Sequence, residues 1–158
     1  MNAIDVIRGF VPAVAVGFLA IASTVNAATP DAEPAISRTV GDASLQWGAC
    51  PDFLPAGCAI AVLHGDPSQP NADVFFKVPA RSEMPLHTHT SAERMVLVAG
   101  ELVVTYQGQA PVRLTPGAYA YGPPGRPHAG RCVSDVACVL FIAFESAVDA
   151  VPSAAARP

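Results

Sequence analysis

Two histidines separated by one residue, His87 and His89, constrain the fold of this 158-residue chain more than any other feature. Side chains two positions apart point to the same face of an extended strand, whereas on a helix they diverge by about 200°. Glu93 follows closely, and His128 supplies a further imidazole downstream. Imidazoles and carboxylates are typical ligands of divalent transition metals. The pair therefore predicts a strand that presents ligands to one metal ion.

The rest of the chain has the frequent turn-forming residues that are typical of an all-β protein. Sixteen prolines and twelve glycines break it into short segments, several of which alternate apolar and polar residues. In the segment that begins at Glu93, period two places Met95 and Leu97 on the same face as the carboxylate. An acid at the head of an apolar row is costly unless it is paired or bound to a cation. This is an independent reason to expect a partner for Glu93.

The spacing of these residues carries a resemblance to a known family. Residues 87–100 read His-x-His, three residues, Glu, six residues, Gly, and residues 117–128 read Gly, five residues, Pro-x-Gly, two residues, His. Together they resemble the two-part signature of the cupin superfamily. The resemblance implies a double-stranded β-helix (jelly-roll) barrel of six to eight strands. It also implies four metal ligands: His87, His89, Glu93 and His128.

Two positions depart from the family pattern. Arg81 stands where the first motif usually opens with Gly, and Cys132 stands where the second usually closes with Asn. Neither position is a ligand in the family, so the implied metal site is unaffected. Met84, Met95, Tyr119 and Tyr121 are predicted to pack around the site as pocket residues, the two tyrosines on one face of a strand.

The N-terminal residues 1–27 have the pattern of a secretory signal peptide. Arg8 provides a positive charge, residues 10–22 form an apolar run too short to span a bilayer of about 30 Å, and Val25-Asn26-Ala27 is typical of a cleavage site. An uncleaved anchor is the alternative. We expect a periplasmic or secreted protein without a stable membrane span. Its parts would be an N-terminal extension (28–46), a single barrel domain (47–146) and a flexible C-terminal tail (147–158).

The four cysteines suit an oxidising compartment and fall into two close pairs. Cys50 and Cys58 flank a loop rich in Pro and Gly, and Cys132 and Cys138 flank a turn. Three connectivities are possible, of which local pairing is favoured. The alternative is a Cys132 thiol that faces the cavity.

The charge of the chain argues against nucleic-acid binding. The net charge is −4, and the only lysine after residue 27 is Lys77, so a cationic surface for nucleic acid is absent from the sequence. The resemblance implies a homodimer, one divalent metal (zinc, iron(II), nickel, copper or manganese) and a small-molecule ligand.

Two functions remain open at this point, besides a barrel with a degenerate site. One is a metal-dependent enzyme, of oxygenase or isomerase/lyase type, that acts on a small organic molecule outside the cytoplasm. The other is a non-catalytic binding or sensing module, similar to the cupin domain of zinc-binding anti-sigma factors. The residues alone do not decide whether the protein is an enzyme.

Overall fold

Eleven strands and no helix make up residues 33–154, the part of the chain described by the computed structural model. The predicted signal peptide lies outside these residues, as do residues 155–158. Within the described part there is accordingly no helix that could cross a membrane. The strands are β1 (Trp47–Ala49), β2 (Ala59–His64), β3 (Asp73–Val78), β4 (Glu83–Thr88), β5 (Glu93–Ala99), β6 (Leu102–Tyr106), β7 (Val112–Leu114), β8 (Tyr119–Gly122), β9 (His128–Cys132), β10 (Cys138–Phe144) and β11 (Val151–Pro152).

The strands form two antiparallel sheets. One has the order β1-β2-β3-β10-β5-β8, and the other has the order β11-β4-β9-β6-β7. Buried apolar side chains from both sheets make one core cluster, in which Val74 and Leu97 of the first sheet join Leu102 and Val104 of the second. The predicted all-β jelly-roll is confirmed. The strand count exceeds the prediction because strands of two or three residues, such as β1 and β11, are too short to show alternation.

Period-two burial explains how the strands build this core. In β5 the buried Glu93, Met95 and Leu97 alternate with Arg94 and Val98, which face outward. In β10 most residues are buried because this strand is hydrogen-bonded on both sides, to β3 and β5. The acidic residue of β5 therefore sits on the core face of a central strand.

At two turn residues, Gly100 and Arg81, a left-handed backbone constrains which side chain can be accommodated. Gly100, between β5 and β6, has a φ of 79°, and a methyl group there would lie 2.8 Å from the Ser134 hydroxyl oxygen and 2.9 Å from the Cys138 Cα. Only glycine fits this turn. Arg81 has a φ of 57° before β4, which gives the family's usual glycine at this position a physical reason. Its guanidinium forms an exposed ion pair with Asp135.

Two disulfides close the loops that flank the barrel. Cys50 is bonded to Cys58 and Cys132 to Cys138, with Cα–Cα distances of 5.6 Å and 5.7 Å. These are the local pairings favoured by the sequence. The alternative of a Cys132 thiol facing the cavity is excluded, because all four cysteines are bonded.

The C-terminal arm, residues 147–154, corrects the prediction of a flexible tail that begins at residue 147. Within it β11 pairs with β4, the Val148 amide donates to the Pro67 carbonyl at 2.8 Å, and the Ser153 amide donates to the Leu86 carbonyl at 3.0 Å. Composition rich in Ala and Pro suggested a tail. The backbone nevertheless completes the edge of β4, a contact that side-chain patterns do not reveal.

Candidate metal centre

Four side chains, three from strands and one from the residue that follows β4, meet inside the barrel. His87 lies near the end of β4 directly opposite His128 at the start of β9, His89 follows β4, and Glu93 opens β5 in the other sheet. The imidazole ligand atoms lie within 4.8 Å of one another. The Glu93 carboxylate oxygens lie 3.3 Å from His89 Nε2 and 3.6 Å from His128 Nε2. The structure thus brings together the whole set of sequence-predicted ligands.

The turn between β8 and β9 fixes the two halves of the motif to each other. The Gly125 amide donates to the His89 carbonyl at 2.8 Å, and Gly125 has a φ of 69°. The preceding Pro123-Pro124 and this left-handed glycine direct the chain into β9. The Pro-x-Gly pattern therefore places His128 by bonding to the backbone of the first motif.

Backbone carbonyls determine which nitrogen of each imidazole faces inward. His87 Nδ1 donates to the Pro85 carbonyl at 2.7 Å, His128 Nδ1 donates to the Arg126 carbonyl at 3.2 Å, and His89 Nδ1 donates to the Asp149 carbonyl. A carbonyl oxygen can only accept, so each Nδ1 carries the hydrogen and each neutral ring keeps a lone pair on Nε2. This is the arrangement found where histidine binds a metal through Nε2.

Burial shifts the pKa values of these groups toward their neutral forms. Desolvation lowers the pKa of His87 and lowers those of His89 and His128 to about 4, against smaller opposing effects of the carbonyl hydrogen bonds. Desolvation, assisted by the charge of Asp149, raises the pKa of Glu93 to about 8. The rings are therefore free bases at neutral pH. Among the described residues no cationic side chain pairs with the Glu93 carboxylate to favour its charge.

The donor set fits a divalent transition metal. The inward Nε2 lone pairs repel one another, and burial disfavours the charged form of Glu93; a cation among them would offset both costs. Three imidazoles and one carboxylate suit zinc, iron(II), nickel, copper or manganese, and leave one or two positions for a ligand on an octahedral ion. His87, His89, Glu93 and His128 are thus able to hold one metal ion.

A cavity of about 260 Å³ opens beside this cluster. Met84 and Met95, which the sequence predicts as pocket residues, both line it. Its other walls are predominantly apolar and come from both sheets, the Cys50–Cys58 loop and the C-terminal arm. They are formed by Cys50, Pro51, Leu54, Ile60, Val62, Pro67, Phe76, Leu102, Val104, Gly130, Leu140, Ile142, Phe144, Val148, Asp149 and Ala150.

Tyr119 and Tyr121 require a correction, because they lie on the outer face of β8. Their side chains are 59% and 49% exposed, and neither lines the cavity. Gly122 faces inward instead, where a methyl group would lie 3.1 Å from Glu93 Oε2 and 3.0 Å from the Tyr106 hydroxyl oxygen. At Gly122 the inner face of β8 has no room for a tyrosine side chain, because Glu93 and Tyr106 already fill that space.

Sequence reasoning missed Tyr106 and Asp149. Tyr106 is buried against His128, with ring centroids 5.0 Å apart, and its hydroxyl has no hydrogen-bond partner among the described residues. Burial and the nearby Glu93 raise the pKa of Tyr106 above its usual range. The alternation of β6, which places Tyr106 on the same face as the buried Leu102 and Val104, could have indicated that Tyr106 points into the barrel.

Asp149 belongs to the C-terminal arm. Its carbonyl accepts the hydrogen bond from His89, and its carboxylate accepts bonds from the Thr90 amide at 2.9 Å and the Thr90 hydroxyl at 2.7 Å. The arm is thereby held against the segment that carries His89. No local sequence pattern indicates that His89 has a hydrogen-bond partner as distant along the chain as Asp149.

Comparison with known proteins relates this chain to a family and to enzymes. The model of the Cupin domain family matches residues 74–144. A curated relative, the dimethylsulfoniopropionate lyase DddQ of Ruegeria pomeroyi, is 39% identical over 83 residues, which cover 51% of this chain and 41% of the relative. This chain thus aligns with about two fifths of the relative's length.

Solved structures share the fold. The crystal structure of the DddQ lyase from Ruegeria pomeroyi aligns with a TM-score of 0.59 at 26% identity, covering 69% of this chain and 61% of that one. A RmlC-like cupin from Shewanella frigidimarina aligns with a TM-score of 0.54 at 20% identity, covering 66% and 86%. The second likeness is evidence for the fold alone.

Proposed function

We propose that this chain, whose residues 74–144 match the Cupin domain family, is a metal-dependent enzyme acting on a small organic molecule. The observation that carries the proposal is the convergence of three Nε2 atoms and the Glu93 carboxylate at one end of a cavity. Among the reaction types that such a site can catalyse, the similarity to a lyase favours elimination over oxygenation.

The chain's own residues would organise this chemistry. A bound divalent ion would polarise a coordinated oxygen of the substrate and acidify the adjacent C–H bond. The carbonyl acceptors of Pro85, Arg126 and Asp149 would hold the three rings in place. Glu93 would serve as a ligand or accept a proton at its carboxylate, and the apolar walls would exclude water.

A second candidate function, a non-catalytic binding or sensing module, is favoured by one observation. Among the described cavity-lining residues there is no Ser, Thr, Tyr, Lys or Arg, so Glu93, Asp149 and the three imidazoles are the only acid–base groups there. A cavity that binds without reacting needs no further acid or base. Both functions share the metal site and the small-molecule ligand.

Two further properties belong to this proposal. We infer that the protein acts in an oxidising compartment outside the cytoplasm, which the two disulfides support. The homodimer implied by the family resemblance stays a prediction, and sedimentation velocity would test it.

Elemental analysis tests the metal site. Wild-type protein should hold about one transition-metal ion per chain, and His87→Ala and His128→Ala should each lose it, because each removes a ligand. His64→Ala is the matched control, since this exposed histidine lies outside the three-histidine group. Retention of the metal by both ligand variants would reject the site.

Turnover separates the two functions. The metal-loaded protein should convert at least one member of a panel of small organic acids and consume no dioxygen; the panel holds acids with apolar bodies and also dimethylsulfoniopropionate, whose cleavage would be detected as released dimethyl sulfide. His128→Ala should abolish turnover, whereas His64→Ala should not. Stoichiometric ligand binding without turnover of any panel member would favour the binding module.

A further inference from the structure

We propose that the occupant of the cavity is a small molecule with one metal-coordinating head and an apolar body, rather than a sugar, a diacid or another polar metabolite. This inference rests on the proposed metal site and specifies its substrate class. It follows from how polar groups are distributed around the cavity.

The polar side chains that line the cavity form one cluster. They are His87, His89, Glu93 and His128 together with Asp149, and the remaining lining residues are hydrocarbon or sulfur side chains, with one glycine. The Asp149 carboxylate already accepts two hydrogen bonds from Thr90, and its carbonyl accepts one from His89. A ligand that extends away from the metal end therefore meets side chains that offer no hydrogen bonds.

The cavity also lacks a cation for a second acidic group. No lysine or arginine is among its described lining residues. Arg81, Arg94 and Arg113 form exposed ion pairs with acids elsewhere on the barrel. A second carboxylate, or the hydroxyls of a sugar, would be buried without partners, which is strongly unfavourable.

The charge of the site determines the kind of head. Three neutral imidazoles and one carboxylate around a divalent ion leave a net charge of +1, which suits one monoanionic or neutral oxygen or sulfur ligand. The body then contributes to affinity by leaving water, in proportion to its apolar area. The two parts of the ligand thus bind by separate effects that can be measured separately.

Isothermal titration calorimetry with acetate, butanoate and hexanoate measures the contribution of the body. On zinc-loaded full-length protein, affinity should rise about fourfold for each added methylene group. Succinate should bind at least about tenfold more weakly than butanoate, because its second carboxylate has no partner in the cavity. Equal affinity along the series, or succinate binding as tightly as butanoate, would overturn the inference.

Two matched variants locate the effect. Val62 lines the cavity, Val98 faces outward from β5, and their side chains are 42% and 39% exposed, so asparagine at either position should be tolerated alike. Val62→Asn should weaken hexanoate binding several-fold while leaving acetate binding unchanged, and Val98→Asn should alter neither. An equal effect of both variants would contradict an apolar wall at Val62.

Metal content measured on the same samples keeps the two proposals distinguishable. Metal-loaded protein that shows no dependence on chain length overturns the substrate class alone. Protein that holds no metal but binds hexanoate more tightly than acetate overturns the proposed function, and supports the apolar cavity. Absence of both metal and chain-length dependence overturns both.

Discussion

Metal-free protein should have a dome-shaped dependence of stability on pH, with an alkaline limb that belongs to Glu93. Burial raises the pKa of this carboxyl from its ordinary 4.5 to about 8, so the native state keeps a proton that the unfolded chain has lost. The stabilisation is complete below pH 4.5 and is lost as pH rises through 8. Linkage gives a fall in the free energy of unfolding of about 2 kcal/mol between roughly pH 6.5 and 9.

The acidic limb has the opposite origin. The pKa values of His89 and His128 fall from 6.5 to about 4 on folding, so below pH 6.5 the unfolded chain binds protons that the native imidazole rings do not bind. Stability is lost as pH falls from 6.5 toward 4. The two rings outweigh the opposite gain from Glu93, and leave a net loss of about 2 kcal/mol by about pH 4.5. The maximum should therefore lie near pH 6.5.

Urea unfolding of chelator-treated protein at a series of pH values measures this profile. Glu93→Gln cannot ionise, so it should remove the alkaline limb and retain the acidic one. Glu145→Gln is the control, because Glu145 lies in an exposed ion pair with Arg94, and it should keep the wild-type profile. An alkaline limb that persists in Glu93→Gln would refute the assignment, as would a wild-type profile that is flat above pH 6.5.

Three further predictions concern the frame of the barrel, and denaturant unfolding measures each of them. Gly100→Ala should lower the free energy of unfolding by more than about 3 kcal/mol, because the added methyl group clashes with neighbouring backbone atoms and the positive φ is strained for alanine. Gly108→Ala has the same kind of strain, with φ of 80°, but open space around the methyl group, so it should cost only about 1 kcal/mol. Equal costs would contradict the packing argument. Arg81→Gly should be about 1 kcal/mol more stable than Arg81→Ala, since both lose the ion pair but only Gly relieves the left-handed backbone; the reverse order would refute this. Replacing both Cys132 and Cys138 by Ser should cost about 2 kcal/mol, as loop-closure entropy predicts for a short loop; unchanged stability would contradict it.

Motif spacing, through the family resemblance that it carries, was sufficient to predict the fold and the residues of the candidate metal centre. Period two predicted that His87, near the end of β4, and His89, directly after it, point the same way, and it aligned Glu93 with the buried Met95, because strand geometry fixes these relations whatever the strand packs against. The local cysteine pairs were also predictable, since a short loop brings its ends together at small entropic cost.

Relations between distant segments were decided only by the tertiary structure. The sequence places Tyr119 and Tyr121 on one face of β8, but the crowding of Gly122 by Glu93 and Tyr106 decides that this face is the outer one. The Asp149 carbonyl that orients His89 arrives from the C-terminal arm, through backbone pairing to which side-chain identity contributes little. Strand periodicity is a local property of the backbone. Which face is buried, and which carbonyl meets which imidazole, depends on how the two sheets and the arm close around the cavity.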